Sequence, residues 1–448
     1  MAIQTYDVID SERGLLDRSI FIDPDIYQKE LEQIFGRAWL FIGHESLIPN
    51  INDFFLTYMG EDPVILTRDA KGEIHAFLNM CRHRGNRIVR ADDGNAKNFM
   101  CAYHGWTYSN EGKLVSVPGL QEAYYGELDV DALGLVPVAL LETYAGFVFA
   151  TWAEDAPTLE EYLGNMRWYM DVPFNRRDGG VELTGPIKWN IYCNWKNSAD
   201  NFIGDMYHAP ISHRSASLAR AAVTGNPAPA SGYAAPGNQV RPGNGHGLHA
   251  HVHESLEEMF SLTRNAQQRQ ESSEYEKSIR PEMEGRLGTV RSLIQNGHYT
   301  VFPNMSWLQG GTVRMWHPRG PAMIEVWAFV YMDKAAPERL KHLRRVSSMS
   351  SFGPSGSFEQ DDSDNWSQST LAGKSHVARR YKQVISMGLG HETTHPDLPG
   401  TVIPRTHGEI NQRAMYKRWQ EFMNADSWAD ISTDPLTAKF EGTATSKG

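Results

Sequence analysis

Two short ligand pairs constrain this chain more than any other feature: Cys81-Arg82-His83-Arg84-Gly85 and Cys101-Ala102-Tyr103-His104-Gly105-Trp106. Each offers one thiolate and one imidazole, so the fold must bring two loops to one place. A single Zn²⁺ takes two Cys and two His. Zinc loops, however, leave two to four residues between paired ligands, and Cys81-x-His83 leaves one. A two-iron cluster removes the difficulty, because each loop then gives its Cys to one iron and its His to the other, as in [2Fe–2S] centres where two His replace two Cys. Gly85 and Gly105 would let backbone N–H groups approach the bridging sulfides. A structural zinc ribbon and chance spacing are the competing readings.

Length and composition set the frame. At 448 residues the chain has room for two or three domains, and 41% apolar with 22% charged residues is ordinary for a globular protein. A net charge of −11 argues against a nucleic-acid partner. The segment from Met1 to Asp10 has neither a basic nor an apolar region, and no apolar run reaches membrane-spanning length, so a cytoplasmic protein without a membrane partner is expected. Cys193 is the only other cysteine; no disulfide framework is possible, which fits a reducing compartment.

In chain order, Asp23-Pro24 reads as a helix cap with Pro at the first helical position, leading into Tyr27, Leu31, Ile34 and Phe35. From about Trp39 to Trp152 short β-type runs take over, at Phe54–Tyr58, Val64–Thr67, Ile74–Leu78 and Phe147–Phe149, with turn signals at Lys71-Gly72, Asp93-Gly94 and Glu111-Gly112. Val117-Pro118-Gly119 suits a third loop over the cluster. Beyond Ala156, Thr184–Cys193 reads as a strand and Trp195–His208 as a helix. Residues 225–247 look like a long Gly/Pro loop and 255–290 a polar, mostly helical stretch. Strands follow at Gly311–Trp316 and at Ala322–Met332, the latter central, then helices at about 337–350, 357–390 and 408–424. No G-x-G-x-x-G joins a strand to a helix.

A second site is written in the stretch Asp200 to His213. On a helix, Asn201, Asp205 and His208 fall at i, i+4 and i+7 and form one polar stripe beside Trp195 and Phe202. Pro210 ends that helix at about Ala209, and the chain then brings His213 back toward His208. Two imidazoles call for a carboxylate to complete the facial triad of non-haem Fe(II) oxygenases. Within Phe358-Glu359-Gln360-Asp361-Asp362-Ser363-Asp364-Asn365-Trp366, helical spacing puts Asp362 on one stripe with Phe358 and Trp366, where a carboxylate must be paired or metal-bound. Asp362 is therefore the first choice and Asp361 the second; Asp361 and Asp364 point elsewhere, toward solvent or salt bridges. Asp205 is close enough to orient an imidazole. The run His246, His249, His251, His253 reads as a polar loop near the site entrance, with metal binding as its alternative.

Together these motifs resemble the α subunit of Rieske non-haem iron aromatic-ring-hydroxylating dioxygenases of the naphthalene and biphenyl group. Gly43-His44, Asn79-Met80-Cys81-Arg82-His83-Arg84-Gly85, Tyr103-His104-Gly105-Trp106 and Asn194-Trp195-Lys196 are its blocks, and it runs from Arg37-Ala38-Trp39-Leu40-Phe41 to Asp362. The resemblance implies an α+β fold in which an all-β Rieske [2Fe–2S] module, residues 39–156, is inserted in a helix-grip-type catalytic domain with an antiparallel sheet, residues 1–38 and 157–448. It implies a Rieske cluster on Cys81, His83, Cys101 and His104, a mononuclear Fe(II) on His208, His213 and Asp362, and catalytic roles for Asp205 and Asn201. In the family Asp205 bridges the two metal centres of neighbouring subunits. An α3β3 assembly with a small β subunit, a ferredoxin and a ferredoxin reductase are the implied partners.

The implied reaction is O₂-dependent cis-dihydroxylation of an aromatic hydrocarbon, polycyclic or biaryl, driven by NADH oxidised on another protein. His ligation lifts the cluster potential above the roughly −400 mV of a plant-type ferredoxin, so electron delivery is downhill. An apolar wall of Phe202, Ala209, Leu308, Phe352 and Phe358 favours a flat hydrocarbon, although each of these residues also suits plain core packing. The alternatives are a Rieske monooxygenase or demethylase acting on a polar aromatic, and an electron-transfer protein with only the cluster active.

Overall fold

The computed structural model describes residues 5–224, 236–253, 266–308 and 311–439. It divides into two compact units: residues 35–159, and residues 1–34 together with 160–448.

The unit 35–159 is built from small antiparallel sheets. Leu140–Tyr144, Phe147–Thr151 and Leu40–His44 form one; Ile74–Leu78, Asp62–Arg68, Asp53–Met59 and Asp93–Asn95 a second; Leu114–Ser116, Thr107–Ser109 and Asn98–Met100 a third. Their alternating apolar residues meet in one core of Phe54, Ile65, Phe77, Ile88, Phe99, Trp106 and Tyr108, and Cys81 and Cys101 are buried in it. Asp93-Gly94, expected to turn, is instead strand, pairing with Phe55 and Phe54. A Cβ on Gly94 would lie 2.9 Å from the Phe54 ring, so the glycine serves close packing there.

In the other unit eight strands form one antiparallel sheet among the described residues. Its order is Val181–Ile191, Ile324–Asp333, Thr312–Pro318, Met305–Leu308, Ile294–Val301, His246–Val252, Asn238–Gly243, Thr401–Ile403. Ile324–Asp333 is buried along nearly all its length, as its apolar run requires, but lies one in from the edge rather than at the centre. The described part of the supposed loop 225–247 is not a loop: Asn238–Gly243 and His246–Val252 form a hairpin across Asn244 and Gly245, with φ 51° and 78°. Two successive positive φ values are what a two-residue hairpin turn of the Asn-Gly kind needs. His246, His249 and His251 of the histidine run therefore lie in a strand, with His253 just past its end. His246 is fully buried, accepting from Phe302 N–H at Nδ1 and donating from Nε2 to the Tyr162 carbonyl. Residues 225–235 and 254–265 lie outside the described residues.

The N-terminal segment belongs to this sheet unit for a physical reason. Asp23 caps the helix Pro24–Glu30, accepting from the N–H groups of Asp25 and Ile26. The helix delivers Glu30, fully buried, to Lys196, to Trp195 Nε1 at 2.8 Å and to Trp419 Nε1 at 2.6 Å. A buried ammonium without that carboxylate would cost several kcal/mol. Helices Glu338–Phe352 and Ile410–Asn424 fall where the periodicity places them. The helix expected over 357–390 stops at Gly373, and Gln383–Val384 instead pairs as a strand with Leu15–Leu16.

Candidate active site

The two cysteine loops are near copies of each other. Cys81 N–H donates to the Asn86 carbonyl at 2.9 Å and Cys101 N–H to the Trp106 carbonyl at 2.8 Å; Gly85 and Gly105 N–H each return to their own cysteine's carbonyl at 2.9 Å. The glycines have φ 72° and 74°, a turn only glycine makes freely. The glycines' own N–H groups are thus used to close the loops. The His83 and His104 rings lie 4.4 Å apart, His83 stacks on Trp106 at 5.0 Å, and Tyr103 covers His104 at 3.8 Å. Pro118 lies against Gly105, where a Cβ would be 3.0 Å from it.

These donors fit a [2Fe–2S] cluster. Cys81 and Cys101 are unbridged, and His83 Nδ1 is buried with no hydrogen-bond partner. Burial pushes the Cys101 thiol up. Hydrogen bonds from Tyr103 N–H, the Asn86 amide, Cys81 and His104 N–H outweigh that and hold it below its ordinary value. Such a sulfur is prepared to be a thiolate.

The second site starts from the helix Trp195–Phe202. Asn194 caps it, accepting from Lys196 N–H, and Thr370 Oγ1 takes both Asn194 N–H at 3.1 Å and Asn197 Nδ2 at 2.8 Å. That ties it to the helix Glu359–Gly373, which carries Asp362. Phe202, fully buried, packs edge-on against Trp316 at 5.0 Å and Trp366 at 6.1 Å, and each such pair adds about 0.5–1.5 kcal/mol beyond burial.

The helix does not run on to His208 as the stripe suggested. It ends at Phe202, and Gly204 turns the chain with φ 119°. A Cβ on Gly204 would stand 2.8–2.9 Å from Gln239 Oε1, Asn411 Nδ2 and the His249 nitrogen. The carbonyls freed by the break are taken up: Asn411 Nδ2 donates to Ile203 O at 2.9 Å and Gln239 Nε2 to Gly204 O at 2.7 Å. Pro210 then sits in a new helical turn, Ala209–Ser212, rather than ending an old one.

Despite the break, the stripe residues converge. His208 Nε2 and His213 Nε2 are 3.2 Å apart, and Asp362 Oδ1 is 3.3 Å from each. Asp205 Oδ2 lies 3.2 Å from His208 Nδ1, with the Asn201 amide also 3.2 Å away. Asp361 Oδ2 lies 3.2 Å from His213 Nδ1. With each Nδ1–H held by a carboxylate, both Nε2 lone pairs turn inward beside Asp362, which is only 1% exposed. Three acceptor atoms so close repel unless a cation stands among them. The spacing suits adjacent ligands on one face of an ion bonded at about 2.1 Å. Burial pulls the His208 ring down, yet Asp205 and Asp362 lift it to about 10, so positive charge is favoured at this spot. The donor set fits a mononuclear Fe(II).

Several residues expected for an apolar wall are close in sequence or space to these groups. Phe358 packs on the His213 ring at 4.8 Å and on Phe352 at 5.5 Å. Leu308 pairs across the sheet with His298, so their side chains share a face; Ala209 directly follows His208. His298 was missed in the sequence. It stacks on Phe202 at 5.6 Å, lies 6.0 Å from the His208 ring, and is held down at about 4 by burial and by His208, hence neutral. As a lone His in a strand 90 residues from His208 it carries no local signal. Asp361, expected to face solvent or a salt bridge, pairs with the His213 ring.

Comparison with known proteins gives the same division. Residues 38–144 match the Rieske [2Fe–2S] domain, and residues 159–425 match the ring hydroxylating α subunit (catalytic domain). Biphenyl 2,3-dioxygenase subunit α of Rhodococcus jostii (strain RHA1) is 41% identical over 97% of this chain and 94% of its own length. Benzene 1,2-dioxygenase subunit α of Pseudomonas putida is 38% identical over 94% of each. A naphthalene 1,2-dioxygenase variant bound to phenanthrene superposes with a TM-score of 0.89 at 33% identity, covering 96% of this chain and 97% of that one. No described helix is long and apolar enough to cross a membrane. Matched in both parts and over nearly its whole length, the chain belongs to the ring-hydroxylating dioxygenase α subunits, which join a Rieske [2Fe–2S] domain to a catalytic domain that uses mononuclear iron.

Proposed function

We propose that this chain is the α subunit of a terminal oxygenase that adds both atoms of O₂ to a biaryl or polycyclic arene, giving a cis-dihydrodiol. Cys81, His83, Cys101 and His104 hold the cluster; His208, His213 and Asp362 hold the iron. The cluster domain comprises residues 39–156, and the catalytic domain residues 1–38 and 157–448. The observation that carries the reading is the triangle of His208 Nε2, His213 Nε2 and Asp362 Oδ1, 3.2–3.3 Å on a side, bordered by aromatic rings. When bound, the cluster supplies single electrons and the Fe(II) activates O₂.

The chain's own residues do the rest. Asp205 and Asp361 fix the tautomers of the two ligand rings, and Asn201 steadies Asp205 from 3.5 Å. Phe202, Ala209, Leu308, Phe352 and Phe358 exclude water and offer a flat hydrocarbon an apolar bed, while neutral His298 adds no charge. The reaction takes an arene, O₂, two electrons and two protons to the diol. The electrons come from NADH through a reductase and a ferredoxin, in a cytoplasmic α3β3 assembly with a small β subunit. The biphenyl, benzene and naphthalene relatives support the hydrocarbon class. Turnover with purified donor proteins and a panel of one- to four-ring arenes is expected to yield a cis-dihydrodiol. A phenol, or released formaldehyde from a methoxy arene, would replace this reading with a monooxygenase.

A further inference from the structure

Phe358 is held between two groups that project from one face of a helix. His213 immediately precedes the helix Arg214–Thr224, and Arg220 follows seven residues later, two turns on and on the same side. The Phe358 ring lies 4.8 Å from the His213 ring, and the Arg220 guanidinium carbon stands 4.1 Å from its centroid.

The same guanidinium also ties down the chain around that ring. Arg220 Nη2 donates to Ser351 Oγ at 3.1 Å, to the Ser350 carbonyl at 3.4 Å and to Ser357 Oγ. Residues 350–351 and 357–358 are the two ends of one tight turn, closed by Ser357 N–H to Ser350 O at 3.1 Å and Phe358 N–H to Ser351 O at 3.0 Å. Phe352 lies within the turn, 5.5 Å from Phe358. From the sheet side Arg314, fully buried, donates to the Phe352 carbonyl at 2.5 Å and to Glu359 Oε2 at 2.9 Å. The sheet thus anchors one side of the turn, and Arg220, of these two arginines, connects it to the helix Arg214–Thr224 that follows His213.

We propose that Arg220 is a specificity-determining positioning residue. By stacking on Phe358 and tying Ser350, Ser351 and Ser357, it fixes the Phe358 ring relative to His213 and so selects which ring carbons of a bound arene face the metal site. It acts through Phe358 and not on substrate. A lysine could not replace it, because an ammonium has no plane to lie on the ring while serving the serines. The inference rests on the proposed reading that Phe352 and Phe358 line the arene pocket.

The test is a double-mutant cycle on the assembled oxygenase, reading the ratio of regioisomeric dihydrodiols from biphenyl. Wild type, Arg220→Gln, Arg220→Lys, Phe358→Leu and Arg220→Gln/Phe358→Leu are compared at equal iron content and equal cluster absorption. Both Arg220 variants are expected to shift the ratio about threefold or more, in line with loss of one cation–π contact. The double variant is expected to match Phe358→Leu alone. An unchanged ratio in Arg220→Gln beside a shifted one in Phe358→Leu, or shifts that simply multiply, would overturn the proposal and leave the pocket reading standing. If Phe358→Leu itself leaves the ratio unchanged, the pocket reading fails and the proposal falls with it.

Discussion

Adjacent on the chain, Asp361 and Asp362 face different atoms of the same histidine. Asp362 Oδ1 is 3.3 Å from His213 Nε2, and Asp361 Oδ2 is 3.2 Å from His213 Nδ1. The i, i+4, i+8 stripe of Phe358, Asp362 and Trp366 selected the buried acid from sequence. The job of Asp361 was not legible, because it depends on how the helical turn Ala209–Ser212 orients the His213 ring. Asp362→Ala is expected to lose the mononuclear iron and all oxygenation while the visible spectrum of the cluster persists. Asp361→Asn should keep the site but weaken iron affinity about 10–100-fold, as loss of a ligand's outer partner does; iron titration against a chelator measures both. Iron lost from Asp361→Asn and kept by Asp362→Ala would reverse their roles. Asp205 presents a related case. Its carboxylate is held below its ordinary value: burial raises it, but the hydrogen bond and charge of His208 prevail. If the carboxylate also receives a cluster histidine of a neighbouring subunit, Asp205→Asn should bind both metals and reduce normally. It should nonetheless reoxidise its cluster slowly with substrate and O₂ in single-turnover kinetics. A wild-type rate there would remove Asp205 from the electron path.

At the scale of elements, sequence periodicity found the longer strands around Phe55, Ile65, Phe77 and Val148 and most helices, but it missed the short strands beside the cysteine loops and misjudged where two helices end. The helix Trp195–Phe202 stops where it does because Gln239 and Asn411, distant in sequence, donate to the Gly204 and Ile203 carbonyls freed at the break, with Asn411 also donating to Gln239 Oε1. No pattern within residues 195–213 contains those partners. The Asn244-Gly245 turn, by contrast, was readable and was obscured by the surrounding glycines and prolines. The strand His246–Val252 that it opens has a consequence for acid stability. His246 is satisfied only as a neutral ring, since Phe302 N–H already points at Nδ1, and burial brings it down to about 4 from 6.5. Between those values the unfolded chain binds a proton that the folded one refuses. Stability present above pH 6.5 is therefore lost as pH falls toward 4, at about 1.4 kcal/mol per pH unit for this group. His249 and His298, also held low, add to the slope. Denaturant titrations across this window should show the slope reduced by about one histidine's share in His246→Met. An unchanged slope would mean that His246 protonates equally in both states.

The whole molecule is a chain whose first 34 residues return to the unit formed by its last two thirds, and the Glu30, Lys196, Trp195 and Trp419 contacts explain why. Sequence blocks such as Asn194-Trp195-Lys196 marked that region without revealing Glu30 as its counter-charge, for an acid in an amphipathic helix reads as surface. The two candidate ligand sets were legible because metal chemistry admits few residue types at few spacings. His298 and Arg220 were not, because their positions are set by tertiary packing. The central claim is that the chain's iron site places both atoms of one O₂ molecule on adjacent ring carbons. Turnover of biphenyl under a mixture of ¹⁶O₂ and ¹⁸O₂, with the product examined by mass spectrometry, tests it most directly. Dihydrodiol carrying either two ¹⁶O or two ¹⁸O atoms, with almost no mixed species, is the expected result; product with one oxygen from O₂ and one from water, or singly labelled phenol, would contradict it.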